Sequence, residues 1–222
     1  MLNLKPSKKV LFVLPIVVLL VTRAGIELFV QLLKIQLKFA WIPSFIVYYC
    51  CIECCIFFSK KKLAIDLPSR SFKLFPFPKI NVFLVGLIIP ALLPLGFFLL
   101  NIRAVPYSFL AIIILFACIN PFFEESFWRG LLSFLPINNK LKMFYSAFLF
   151  SFMHYFLWGT YWLTNPPAKW IAAVITTFIM GMLWMWFLHK DKRLVFPILS
   201  HVAVDILNLS VAMFYGIKLI TV

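Results

Sequence analysis

Seven apolar runs, each near the length of about 20 helical residues that crosses a bilayer core, dominate this 222-residue chain. They fall at about 10–33, 40–58, 80–100, 107–132, 143–160, 169–188 and 194–215. Backbone N–H and C=O groups find no water in hydrocarbon, so a run of this length closes its own hydrogen bonds as an α-helix. The expected fold is therefore an all-α, polytopic transmembrane bundle of about seven spans, built as a single integral membrane domain over 1–222. With 64% hydrophobic residues, 13% charged and a mean hydropathy of +1.03, the composition excludes an ordinary soluble domain.

Charge sets the expected orientation. The formal charge is +14, from 21 Lys and Arg against seven Asp and Glu. These basic residues sit in short clusters between apolar runs rather than on one amphipathic face, which points to membrane topology and anionic headgroups, not to nucleic acid. With the N-terminus inside, 14 of them fall in inner segments and five in outer ones, leaving Arg23 and Arg129 within spans. That asymmetry predicts an N-in, C-out chain. The N-terminal Lys5, Lys8 and Lys9 followed by an apolar run resemble a signal peptide, but no small-residue cleavage site follows, so the run is expected to stay as a first span. The loop at about 59–79, from "SKKK" to "FPFPK", reads as a surface-lying amphipathic connection. In "CCIECC", Cys50 and Cys54 share one helix face and Cys51 and Cys55 another; the cluster reads as small polarizable packing residues rather than as a metal or disulfide site.

Ionisable residues inside a membrane are costly and call for partners or a function. Arg23 and Glu27 are spaced i,i+4 and are expected to pair. In "NPFFEESFWRGLL", Glu125 and Arg129 have the same spacing and can neutralise each other on one helix face. Glu124 is rotated about 100° from Glu125 and has no evident partner in its own helix, which suits a general base. His154 lies among aromatics in "FLFSFMHYFLW", and His201, Asp205 and Asn208 follow one another at helical spacing in "PILSHVAVDILNLS". On the expected topology these groups meet in the inner half of the membrane, whereas His189, beside Lys190 and Lys192, is expected at the surface. Two Glu, two His and an Asp suit either a metal site or a metal-free site that activates water.

"EESFWR" (Glu124, Glu125, Arg129) fits an EExxxR motif, "FSFMH" (Phe150, His154) an FxxxH motif, and "HVAVD" (His201, Asp205) an HxxxN/D motif. In order and spacing these resemble the CPBP family of intramembrane proteases, which includes CAAX prenyl proteases and bacteriocin-processing Abi proteins. The likeness covers about 115–210, within a protease core placed at about 107–215. The resemblance implies a helical fold with a cytoplasm-facing cavity. It also implies a catalytic set of Glu124 as base, His154 as its partner, and His201 with Asp205 on the oxyanion side. Glu125 and Arg129 would hold the base in position, and Phe150 would line the cavity. A glutamate-dependent mechanism with no required cofactor is implied; a divalent metal such as zinc would be held by Glu124, His154, His201 and Asp205. Asp205 departs from the asparagine of eukaryotic CAAX proteases, and an ionised carboxylate would repel an oxyanion. It would then carry a proton, orient His201 or ligate a metal, the first two being favoured.

The expected activity is hydrolysis of a peptide bond near the cytoplasmic face, in a hydrophobic or lipidated peptide or protein that enters laterally. By analogy, a chain this short looks like the prokaryotic branch concerned with bacteriocin maturation or self-immunity, in a prokaryotic cell membrane. Two other classes share the composition: a non-catalytic immunity or scaffold protein, which would tolerate Glu124→Gln, and an ion-coupled transporter, which would call for broken helices in paired halves.

Overall fold

The computed structural model describes residues 6–32, 34, 41–65, 67, 72–156 and 167–209, and every regular element among them is helical. Helix α1 spans Pro6–Leu32 and α2 spans Trp41–Leu63. Pro15 lies inside α1, and Arg23 meets Glu27 at 2.6 Å, the expected i,i+4 pair. Lys60, Lys61 and Lys62 form the last turn of α2 rather than the start of the following loop, at the helix end where the backbone dipole favours cations.

The third apolar run is interrupted, with α3 (Ile80–Phe83), a π-helical turn (Leu84–Ile88), α4 (Ile89–Leu92) and α5 (Leu95–Asn101) in succession. Pro90 and Pro94 supply no N–H to the helical ladder, which accounts for breaks at this place. Gly86, in the π turn, faces the ring of Phe187 so closely that a Cβ there would lie 2.2 Å from Phe187 Cδ1. Helix α6 (Tyr107–Glu125) runs without a break into a second π turn, Ser126–Gly130, and a 3-10 turn, Leu131–Phe134. Helix α7 is Asn139–His154, started by the Asn138 side chain accepting the Leu141 N–H at 2.9 Å; α8 is Pro167–Asp191 and α9 is Val195–Leu207.

Among the described residues, five segments are long and apolar enough to cross a membrane: Val10–Phe29, Ile42–Leu63, Ile80–Ala104, Tyr107–Phe134 and Ile171–Asp191. The expected spans at 143–160 and 194–215 correspond to the shorter α7 and α9, and parts of both runs lie outside the described residues. Leu20, Leu99, Leu115 and Ile175 are more than half exposed, an apolar surface that matches hydrocarbon and not water. The protein is an integral membrane protein.

Three packed pairs organise the bundle: α7 against α8, α6 against α9, and α1 against α2. The α7–α8 crossing is close because Gly181 has no side chain; a Cβ there would lie 3.1 Å from both Ala147 Cα and Arg129 Nη2. Between α2 and α3, the segment 72–79 lies across the bundle end. Arg193, itself paired with Asp191 at 2.7 Å, donates to the carbonyls of Lys73 and Leu74, while Phe72, Phe75 and Phe77 remain exposed; of the connection expected at about 59–79, the start belongs to α2 and residues 66 and 68–71 lie outside the described residues.

Candidate active site

The α6–α9 pair brings together two stretches of polar side chains more than 70 residues apart in sequence. On α6, Asn120 and Glu124 share a face one turn apart. The Asn120 amide donates to Glu124 Oε2 at 3.3 Å and, across the helix pair, to Asp205 Oδ2 at 2.9 Å. Its own carbonyl oxygen accepts the Tyr49 hydroxyl of α2 at 3.0 Å. Glu124 therefore does have a partner in its own helix: the expectation that it stands alone overlooked Asn120 at i−4, the same spacing that joins Glu125 to Arg129.

Glu125 and Arg129 form the anticipated ion pair, 3.1 Å apart and both with side chains 0% exposed. The contact is one of charge rather than an aligned hydrogen bond, because no guanidinium nitrogen has a hydrogen-bond partner. The guanidinium lies instead over aromatic faces, 4.0 Å from the centre of the Phe150 ring and 5.1 Å from that of Trp184. This placement stabilises a desolvated cation through the ring quadrupoles.

Glu125 also accepts from His201 Nδ1 at 2.9 Å. With Nδ1 donating, the other ring nitrogen is turned towards the remaining acids: His201 Nε2 is 3.6 Å from Glu124 Oε2 and 3.5 Å from Asp205 Oδ1. Trp184 stacks on the imidazole at 4.3 Å between ring centres, and its indole N–H donates to Ser200 Oγ at 2.9 Å. Glu124, Glu125, Arg129, His201 and Asp205 are all at most 5% exposed, so three carboxylates converge on one imidazole and one guanidinium out of water's reach.

His154 stands at the edge of this cluster. Its Nδ1 is 2.9 Å from the Phe150 carbonyl, which accepts, and its ring lies 4.4 Å from the Phe150 ring. It makes no hydrogen bond to Glu124 among the described residues. Phe150 is 1% exposed and packed among Arg129, Trp128, Trp184 and both histidines, so it fills a core position between the imidazoles instead of lining a cavity.

Residues 106–207, which contain every one of these motif positions, match the model of a family described as type II CAAX prenyl endopeptidase Rce1-like. This segment is similar to the Rce1-like family. The match agrees with the CPBP resemblance and supports peptide hydrolysis within a membrane as the general activity. No curated protein and no solved structure matches the chain. The Rce1-like segment starts after α2, yet α2 supplies two of the site's polar groups, the buried Tyr48 and the partly buried Tyr49. Besides Tyr49, the Tyr48 hydroxyl accepts the Trp128 indole N–H at 2.7 Å and lies near Glu124. Their partners are 71 and 80 residues away, so no local spacing in the sequence points to them. Asn120 is the missed residue that helical spacing alone marks.

Among the described residues no three His, Cys, Asp or Glu side chains are arranged to hold a metal ion. The five cysteines are free, with Cys50, Cys54 and Cys118 exposed and Cys55 buried. His189 is half-buried, with Nδ1 2.8 Å from the Met185 carbonyl, and lies away from the carboxylates.

Proposed function

We infer that this protein is an intramembrane endopeptidase in which Glu124 activates water. The observation that carries the reading is the convergence of Glu124, His201 and Asp205, nearly free of solvent, within the segment that matches a peptidase family. In the proposed reaction Glu124 takes a proton from water as its oxygen bonds to the scissile carbonyl carbon. The C–N bond then breaks, and the proton passes to the leaving nitrogen. His154 assists Glu124 with the water, while His201 and Asp205 stand on the side of the oxyanion. A buried setting strengthens each of these interactions, since water no longer competes for them. Glu125 and Arg129 are positioning residues: the first fixes His201 at Nδ1 and the second neutralises the first.

No metal is required in this proposal. The Asn120 amide hydrogens point at Glu124 Oε2 and Asp205 Oδ2, and occupy the space between two carboxylates where a bridging cation would otherwise sit. The substrate is a hydrophobic or lipidated peptide or protein reaching the site from the bilayer. Its scissile bond lies near the cytoplasmic face of a prokaryotic cell membrane, and maturation of a bacteriocin-like peptide or self-immunity is the role that suits it. The N-in orientation rests on the distribution of Lys and Arg.

Comparative peptidomics of membranes from cells carrying wild type or Glu124→Ala tests the reading. At least one membrane peptide should change from cleaved to intact in the variant, and the wild-type pattern should survive chelators. Identical peptide sets from the two strains would refute it.

A further inference from the structure

Hydrolysis at this site needs a hydrogen-bond donor for the oxygen that becomes negative, and the groups on the oxyanion side do not bring one. An ionised Asp205 only accepts: its Oδ2 takes the Asn120 amide at 2.9 Å and its Oδ1 faces His201 Nε2 at 3.5 Å. His201 gives its Nδ1–H to Glu125 at 2.9 Å, so in the neutral ring Nε2 is an acceptor as well. Among the described residues, the donor within hydrogen-bond distance of both Glu124 and Asp205 is the buried Asn120 amide.

The three contacts of that amide are unequal. Its Oδ1 accepts the Tyr49 hydroxyl at 3.0 Å and one hydrogen goes to Asp205 at 2.9 Å. The other reaches Glu124 Oε2 at 3.3 Å, longer than the usual range of about 2.7–3.2 Å. An amide is planar, so the first two contacts, one to α2 and one to α9, fix the plane and leave the second hydrogen aimed at the space beside Glu124. Tyr49 is itself held, stacked on Phe123 at 4.6 Å between ring centres with 15° between the planes. A hydrogen bond accepted at Oδ1 also polarises the amide and strengthens its N–H donors, by about 10–30% per bond.

We propose that Asn120 is a catalytic residue whose Nδ2–H, held by Glu124 before reaction, passes to the oxyanion. This rests on the reading of Glu124 as the base. As the water oxygen bonds to the scissile carbonyl carbon, one water proton goes to Glu124 and the carbonyl π pair moves onto its oxygen. Glu124 loses its negative charge as the carbonyl oxygen gains one, so the hydrogen held at 3.3 Å is bound more strongly by the new anion than by the protonated acid. When the pair returns to carbon the C–N bond breaks, the proton on Glu124 passes to the leaving nitrogen, and the amide returns to the carboxylate. Asp205 acts through Asn120, as the acceptor that aims this donor.

The test uses the purified full chain in vesicles of phosphatidylethanolamine and phosphatidylglycerol. Detergent extracts of membranes from Glu124→Ala cells supply the pool of uncut peptides, and mass spectrometry reads the rate at which new peptide termini appear. Wild type should cut and Glu124→Ala should not; no difference between them defeats Glu124 as the base and this proposal with it. Once that difference is seen, the remaining variants bear on Asn120 alone. Asn120→Asp, of the same shape but without the N–H, should be slower by about 100-fold, the loss expected on removing one oxyanion donor. Asn120→Leu should be as slow, and Asn120→Leu/Asp205→Asn should regain about tenfold or more, because it returns an amide to the same side although leucine cannot bond to residue 205. Should melting in detergent show the leucine variants to be unfolded, Asn120→Asp/Asp205→Asn takes their place, with the same regain expected over Asn120→Asp. A rate for Asn120→Asp within about threefold of wild type overturns the donor. Absence of the regain overturns it too, and leaves the amide a link between α6 and α9.

Discussion

Replacing Arg129 by Met separates the buried ion pair from the rest of the network. The substitution keeps an unbranched apolar stem but leaves Glu125, 0% exposed, without its cation. Breaking a fully buried pair by removing one partner costs about 3–5 kcal/mol, and contacts over two aromatic rings make the upper part of that range apply here. At about 2–4 °C per kcal/mol for a chain of this size, the melting temperature in detergent should fall by roughly 6–20 °C. Arg129→Lys should recover only part of this. An ammonium keeps the charge but not the flat surface that lies 4.0 Å over Phe150. Glu125→Gln keeps an oxygen to accept the His201 Nδ1–H, so the double variant Glu125→Gln/Arg129→Met should be more stable than the sum of the single losses implies, by about 1 kcal/mol or more. Denaturant unfolding in micelles of the four proteins completes the cycle. A loss below about 0.5 kcal/mol for Arg129→Met, the range of an ordinary surface change, would refute the reasoning.

Tyr48→Phe should cost about 1–3 kcal/mol in the same unfolding assay, because it strands the buried Trp128 indole N–H; Tyr49→Phe should instead lower peptidase turnover by freeing Asn120, with little effect on stability. Gly181→Ala should destabilise by about 1–3 kcal/mol through crowding of Ala147 Cα and the Arg129 guanidinium, read as a lower melting temperature. Asp205→Asn should keep substantial activity in the peptide-processing assay, since the amide oxygen still accepts from Asn120; an inactive variant would argue against a simple oxyanion-side role.

What could be read from the sequence was local. The Glu125–Arg129 and Arg23–Glu27 pairs follow from i,i+4 spacing, and the membrane fold follows from run length alone. Asn120 was within reach of the same rule, because it precedes Glu124 by four residues. The interruption of the third run was marked by Pro90 and Pro94, whereas its π turn at Gly86 depends on a ring from α8. Tyr48, Tyr49 and Trp184 carried no signal: each is an ordinary aromatic in an aromatic-rich chain until the packing of α2 and α8 sets it beside a carboxylate or an imidazole. The bond from His201 to Glu125 was hidden for a related reason. Spacing places His201 with Asp205, but the rotation of α9 against α6 decides which acid meets Nδ1.

That bond changes what Asp205 has to do. His201 is fixed on its edge by the Glu125 carboxylate at 2.9 Å and on its face by Trp184 at 4.3 Å. A hydrogen bond to a charged group contributes about 1.5–3 kcal/mol and an aromatic stack about 0.5–1.5, so together they favour this ring orientation by a factor of about 30 or more. Trp184 is in turn fixed by Ser200, whose hydroxyl reaches the Leu87 carbonyl in the first π turn at 3.4 Å, so the broken third run supports the imidazole through two intermediates. Against that, the Asp205 contact to Nε2 at 3.5 Å adds little orientation. Holding the ring therefore falls to Glu125 and Trp184, and Asp205, tied to Glu124 through the Asn120 amide, is left facing the same space as Glu124, the base of the proposed reaction.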